Sequence, residues 1–410
     1  MKNSMESGQP STTSRVLIVG ASAAGMATAN ALRRGGYAGR IRMLGEEKEL
    51  PYDRPPLSKQ FLTGTWDESK IRLVPQNRLD ELDIELLLGR RAVDVDIASR
   101  VVRDAQRMDH PYDALVIATG LAPRVLEGFD VGGVHVLRTV ADAVSLRAAL
   151  RVNARVLVVG GGFLGLEIAA TATSLGANVT VVEPVESSLA GRIGPEAADR
   201  LYALHRSHGV DVRLGVGVSG PPERERPEDH MTMRLTDGSQ VEIDSVVLAV
   251  GATPRTDWLE GSGIPLDNGV VCDEACQAVP GVWAAGDVAR WYHRDLKTHM
   301  RVEHRTNATE QGQTVAAAIL GKPSGYRPVP FFWTDQFDAR VQLAGLIPIG
   351  AHGTVVSGAI IEDRFVIKYA VDGLTVGVLG WNSPRDVAVA RRALLEESTS
   401  RDLLRDMVPT

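Results

Sequence analysis

RVLIVGASAAGMATANALRRGG, residues Arg15 to Gly36, is the stretch on which the fold turns. Arg15–Val19 is a short apolar run rich in branched side chains, as in a strand buried on both faces. A Gly-containing turn follows directly, then a segment of helical periodicity, then IRML before Gly45. Strand, tight turn, helix and strand make one dinucleotide-binding unit. Gly20 permits the tight turn, the middle position lets the backbone approach a pyrophosphate, and Gly25 lets helix and strand pack closely. Ser22 stands where a third glycine is usual; it keeps its backbone amide available and adds a hydroxyl that can reach a phosphate.

The pattern returns at Arg155–Glu183: RVLVV, then GGGFLG, then LEIAATATSLG, then NVTVVE. Here Gly160, Gly162 and Gly165 fill all three glycine positions, and the helix that follows offers its amides and positive dipole end to a pyrophosphate. Leu164, in the first turn of that helix, is counted with the nucleotide-binding residues. Glu183 ends the next strand, where a carboxylate can bond both ribose hydroxyls and repels a 2′-phosphate, so NADH is expected in preference to NADPH. Arg192, a few residues on, could meet that phosphate and keeps NADPH as the second choice. In the first unit the acid comes slightly later, as Glu46 or Glu47, and Glu46 is chosen for the adenosine ribose.

Three apolar strands with small-residue endings close these units. Tyr112–Gly120 ends in Thr119 and Gly120, and Val279–Ala289 carries Gly286 and Asp287, a carboxylate placed for ribitol hydroxyls. Asp244–Pro254 repeats the ending for the second unit, with Gly251. Two complete units in one chain imply two dinucleotides, and FAD is long enough to be held by one while its ring faces a nicotinamide held by the other. Transfer between the rings needs them within roughly 3–3.5 Å. The expected fold is therefore α/β, with two Rossmann-like dinucleotide-binding domains and a small α+β C-terminal domain. The FAD domain is expected over 15–121 and 252–328, the NAD domain over 122–251 and the C-terminal domain over 329–410, with 1–14 a disordered tail.

Composition narrows the chemistry. A formal net charge of −6 over 410 residues gives no field to attract phosphate backbones, so no nucleic-acid partner is expected. No run reaches the roughly 18 apolar residues of a membrane span, and the first residues lack the apolar core of a signal peptide, so a cytoplasmic protein is expected. The two cysteines, Cys272 and Cys276, lack the spacing of zinc or redox motifs, and no metal is expected. Electron chemistry then falls to a bound organic cofactor.

GASAAG, PYDRPPLSK (Pro51–Lys59), ATG (Ala118–Gly120), GGGFLGLE, AAGDVA, VEHRTNATEQG (Val302–Gly312) and FFWTDQF (Phe331–Phe337) occur in this order along nearly the whole chain. So ordered, the sequence resembles the FAD-dependent ferredoxin reductases of bacterial oxygenase systems, the group that includes putidaredoxin reductase and the reductases of aromatic-ring dioxygenases. The resemblance implies that Ala24, Glu46, Arg54, Lys59, Ala92, Arg124 and Asp287 contact FAD, and that the peptide around Glu303–Arg305 and Trp333 flank the flavin ring. It also pairs Lys59 with Glu167 as the catalytic residues, and an ammonium near flavin N5 and O4 would favour the reduced anionic ring. Arg305 departs from relatives, which often carry Trp or a small apolar residue there.

The implied activity is NADH-driven reduction of a small acidic iron–sulfur ferredoxin, which supplies a haem-thiolate monooxygenase or a Rieske oxygenase. PYDRPPLSK contains no cysteine, which argues against disulfide reduction. Rubredoxin or quinone reduction, and a redox-sensing interaction protein resembling apoptosis-inducing factor, remain the alternatives. Monomer and homodimer are both open.

Overall fold

Arg15–Val19 is a strand whose residues from Val16 onward are all buried. The structure, a computed structural model, describes residues 14–397 apart from 225, 227 and 228. The expected tail lies outside the described residues except for Ser14, which is buried with its hydroxyl 3.1 Å from that of Tyr37. Arg15–Val19 runs parallel to Arg40–Leu44 on one side and to Ala114–Ile117 on the other. Ile84–Leu87 and Val282–Ala284 extend this sheet in parallel, and Gln277–Val279 closes it as an antiparallel edge. Helix Ala23–Arg34 packs on helix Arg305–Ile319 so tightly that a Cβ on Gly312 would come 2.6 Å from the Ala24 carbonyl. A three-stranded antiparallel sheet, Ala92–Asp96, Val101–Asp104 and Asp109–Pro111, belongs to the same half of the molecule.

The second unit is built on a wholly parallel sheet, in the order Asp211–Leu214, Asn178–Glu183, Arg155–Val159, Ser245–Leu248, Val134–His135. The chain enters and leaves this unit through two short strands, Leu121–Pro123 and Ala252–Pro254, paired antiparallel. Just beyond them the Arg124 amide donates to the Gly251 carbonyl at 2.9 Å.

From Phe331 onward the fold changes to a five-stranded antiparallel sheet, ordered Phe331–Gln336, Ala339–Gly345, Leu374–Trp381, Arg364–Val371, His352–Ala359. Helix Pro384–Glu397 covers one face, burying Val387 and Leu394 against Val366 and Val378. Phe365, Leu379 and Trp381 belong to the main core shared with the nucleotide-binding units. Helix Pro195–Ser207 meets this sheet through a two-point pair of Arg200 with Asp363, and the Arg200 guanidinium lies over the Trp381 ring, 6.0 Å from its centre. The Tyr369 hydroxyl donates to the Ile193 carbonyl at 2.7 Å in the same contact.

Candidate active site

The first Gly-loop is shaped by contacts that only glycine tolerates. Gly20 has φ +122°, and a Cβ there would collide with the Ala118 carbonyl; a Cβ on Gly25 would collide with the Gly20 carbonyl. Ser22 is the N-cap of helix Ala23–Arg34, its side chain makes no capping bond, and no acidic residue occupies the first turn. The helix amides and dipole there are left for an anionic ligand. Buried Ala24 lies beneath Gly286, whose own Cβ would stand 2.9 Å from that of Ala24.

Charged groups converge near this loop. Arg54 donates to Glu47 at 2.7 Å and to the Arg138 carbonyl, and the Tyr52 hydroxyl also donates to Glu47. Arg138 reaches Asp287 at 3.4 Å and lies under Gly120, where a Cβ would be 3.1 Å from Nη2. Burial and the neighbouring Arg54 hold the Arg138 pKa below its ordinary value. Burial pushes the Asp287 carboxyl up, Glu303 adds to this, and Arg138 and Arg54 oppose it. Arg138 Nε is buried without a hydrogen-bond partner in the protein. A free donor on a buried cation beside an open helix N-terminus fits an anionic dinucleotide such as FAD.

The second loop repeats the geometry. Gly160, at φ +112°, presses on the Ala249 carbonyl, and Gly165 presses on that of Gly160. Gly162 is the N-cap of helix Phe163–Ser174, and a Cβ there would meet nothing within 4 Å, so the space over the loop is free. Glu183 is buried; its Oε2 accepts from the Gly161 amide at 2.8 Å and its Oε1 from the Val185 amide at 3.1 Å. Leu164 is exposed on the first turn, and Gly251 takes φ +93° with open space around it. Open backbone amides and a carboxylate at the strand end fit a nicotinamide dinucleotide.

Between the loops, Lys59 and Glu167 form an ion pair at 2.6 Å with both side chains mostly buried. Pro55–Ser58 is a short 3-10 turn that delivers Lys59, and helix Phe163–Ser174 delivers Glu167 from its buried face. Ser58 and Thr334 hydroxyls each donate to Glu167 at 2.6 Å. Rings from all three parts of the chain meet alongside: Phe163 and Phe332 with centres 4.8 Å apart, then Phe332 and His304 at 5.3 Å. Burial, with the positive charge of Arg192 nearby, pushes the His304 pKa down to about 4.

The remaining expected residues are more scattered. Arg124 stands exposed beside the two-stranded link, whereas Arg138, which the sequence reading did not single out, joins Arg54, Gly120 and Asp287. Its signal was weak: one Arg before Thr139, the capping-box residue of helix Val140–Ala149. Glu46 is exposed and paired with Arg255, and Thr119 donates to the Arg255 carbonyl at 2.9 Å. Ala92 is buried at the start of its strand in the three-stranded sheet. Glu303 accepts from Arg301 at 2.7 Å. Arg305 pairs with Asp53 of the PYDR segment and donates to Thr309, so its charge is tied down. Trp333 is half-buried in Phe331–Gln336, its ring 6.3 Å from that of Phe331. Cys272 and Cys276 are buried thiols outside any disulfide, their pKa pushed well up by burial, and Cys272 donates to the Val270 carbonyl at 3.3 Å. Among the described residues no helix is long and apolar enough to cross a membrane.

Residues 14–312 match the family model described as pyridine nucleotide-disulphide oxidoreductase, and residues 331–407 match that of the reductase C-terminal domain. The chain is 37% identical over 400 residues to the probable ferredoxin reductase CtmF of Castellaniella defragrans, covering 96% of each protein. It is 34% identical to rhodocoxin reductase of Rhodococcus erythropolis, covering 93% of this chain and 90% of that one. It is 37% identical to the ferredoxin--NAD(+) reductase subunit of the Pseudomonas putida benzene 1,2-dioxygenase system, covering 92% and 91%. Among solved structures, the covalent putidaredoxin reductase–putidaredoxin complex matches with a TM-score of 0.89 at 30% identity, covering 95% of this chain and 93% of the other.

Proposed function

The chain belongs to the pyridine nucleotide-disulphide oxidoreductase family, among the ferredoxin reductases of oxygenase systems, and from that premise we propose that it carries electrons from NADH through FAD to a two-iron ferredoxin. The observation that carries this reading is the Lys59–Glu167 pair, which joins the segment after the first Gly-loop to the helix of the second. Bound FAD supplies the chemistry the side chains lack, taking electrons in pairs and releasing them singly. The chain's own groups bind, orient and tune.

On this reading the amides around Gly20–Gly25 and the start of helix Ala23–Arg34 hold the FAD pyrophosphate, with Ser22 adding its hydroxyl. Arg54, Arg138 and Asp287 form the polar wall, the arginines offsetting anionic charge and Asp287 accepting from hydroxyls. Gly160–Gly165 hold the nicotinamide dinucleotide, and Glu183 takes the ribose hydroxyls of NADH. A 2′-phosphate would face this buried carboxylate, which supports NADH as the preferred donor. Lys59 holds a positive charge at the flavin while Glu167 fixes its position. The absence of cysteine from PYDRPPLSK, and burial of both cysteines elsewhere, leave no thiol to serve disulfide chemistry there.

NADH-driven cytochrome c reduction by the FAD-loaded protein, with and without an added two-iron ferredoxin, tests the proposal. A large ferredoxin-dependent increase is expected. Rapid bleaching of the flavin by NADH with no increase for any ferredoxin would move the acceptor elsewhere.

A further inference from the structure

Glu167 does not end the buried polar contacts at the junction; it begins a chain of them. A carboxylate only accepts, so the Thr334 hydroxyl, 2.6 Å from Oε1, must donate to it. Thr334 therefore accepts from its other neighbour, and Gln336 Nε2 is 2.9 Å away. That turns the Gln336 amide so that Oε1 faces His205 Nε2 at 2.8 Å, and His205 must donate from that nitrogen. Each member is buried: Thr334 1% exposed, Gln336 2% and His205 0%. His205 Nδ1 has no partner in the protein, in keeping with a neutral ring protonated on Nε2 alone. The edge of the Phe337 ring pair holds the imidazole in place, with centres 5.0 Å apart, and His208 stacks on the other side of Phe337 at 4.0 Å. The chain thus crosses from helix Pro195–Ser207, through strand Phe331–Gln336, to helix Phe163–Ser174.

We propose that His205, acting through Gln336 and Thr334, is a positioning residue for the Lys59–Glu167 pair: it sets the direction of a hydrogen-bond chain that ends on Glu167 Oε1 and leaves Oε2 to hold Lys59. Without a donor at His205 the Gln336 amide is free to turn its oxygen toward Thr334. The Thr334 hydroxyl then swings away from Glu167, which loses one of its donors in a buried site. A carboxylate so exposed cancels more of the lysine charge, and reduction of nearby FAD becomes less favourable. The inference rests on the reading of Lys59 as the cation beside the flavin.

The test is the midpoint potential of bound FAD, measured at pH 8 in the holoprotein, together with the rate of flavin bleaching by NADH. Glu167→Gln is expected to raise the potential, because it leaves the lysine charge uncancelled. His205→Leu, which frees the Gln336 oxygen to draw the Thr334 hydroxyl away, and Thr334→Val, which removes that hydroxyl, are expected to lower it and to slow bleaching about tenfold, the worth of one hydrogen bond to a charged group. His205→Gln keeps a donor and is expected to restore most of the loss. A merely structural histidine would destabilise the fold in both His205 variants without moving the potential according to donor content. A wild-type potential in His205→Leu, with Glu167→Gln shifted, overturns the proposal. An unshifted Glu167→Gln instead removes the ion pair from the flavin, and the underlying reading falls with it. Should His205→Leu fail to fold, Thr334→Val tests the last link of the chain, and nitrogen NMR of the wild-type protein tests its direction: a proton on Nε2 is expected, and one on Nδ1 overturns it.

Discussion

Glu183 accepts a hydrogen bond from the amide of Gly161 at 2.8 Å, so the acid that ends the second strand of the NAD unit is tied to the loop it serves. A Cβ on Gly161 would stand 2.9 Å from that of Glu183, which leaves the two backbones in close contact. Glu183→Gln keeps the size of this side chain and removes its charge. The NADH-over-NADPH ratio of kcat/KM is expected to fall about tenfold or more, as measured by steady-state kinetics with both donors. An unchanged ratio would remove Glu183 from the ribose site.

Gly160 and Gly162 separate stability from binding. Gly160 needs its positive φ and its contact with the Ala249 carbonyl, so Gly160→Ala is expected to cost about 2–4 kcal/mol and to appear as a loss of thermal stability. At Gly162 the protein offers no clash. Gly162→Leu is expected to leave folding and FAD content intact while abolishing flavin bleaching by NADH. Loss of FAD in this variant would contradict the division of labour between the two loops.

Arg200 and Asp363 hold the NAD unit against the C-terminal sheet through two parallel bonds in a partly exposed setting. Arg200→Met keeps much of the packing on Trp381 and removes the pair. A loss of about 1–2 kcal/mol is expected in denaturant unfolding, and the gap is expected to narrow at high salt because salt weakens the pair in the wild type.

His205 and His304 both titrate near pH 4 in the folded protein, chiefly because burial penalises the charged ring; His208 near the first and Arg192 near the second act in the same direction, and Gln336 opposes it at His205. Their ordinary value is 6.5, so between pH 6.5 and about 4 the unfolded chain binds more protons than the folded one. Stability from these groups is complete above pH 6.5 and is lost as the pH falls toward 4, by an order of 1–3 kcal/mol each. The unfolding midpoint is expected to fall as the pH drops through this range, and His304→Asn should remove about half of what the two histidines contribute.

Both Gly-loops were legible because their chemistry is local: RVLIV and RVLVV carry buried strands, and each is followed within a few residues by the glycines that the turn and helix start require. The C-terminal strands were legible from short runs of branched and aromatic residues such as RFVIKYAV. What sequence could not supply was convergence across distance. Arg138 meets Asp287, and Arg305 meets Asp53, only after the sheet has brought their segments together. Thr334, Gln336 and His205 read as an ordinary strand and helix, and nothing in their spacing announces that they share one carboxylate's hydrogen bonds.

The link of Leu121–Pro123 with Ala252–Pro254 gives the molecule a modular seam. Because entry and exit strands lie side by side, the segment between them can be exchanged as a cassette without altering the distance its ends must span. A donor-binding segment from a relative with different nucleotide preference could be grafted at this seam, provided that its outer helix keeps an arginine for Asp363 and a histidine for Gln336. Those contacts, together with Glu167 for Lys59 and Thr334, and Arg138 for Asp287, would decide whether a graft is accepted by the host.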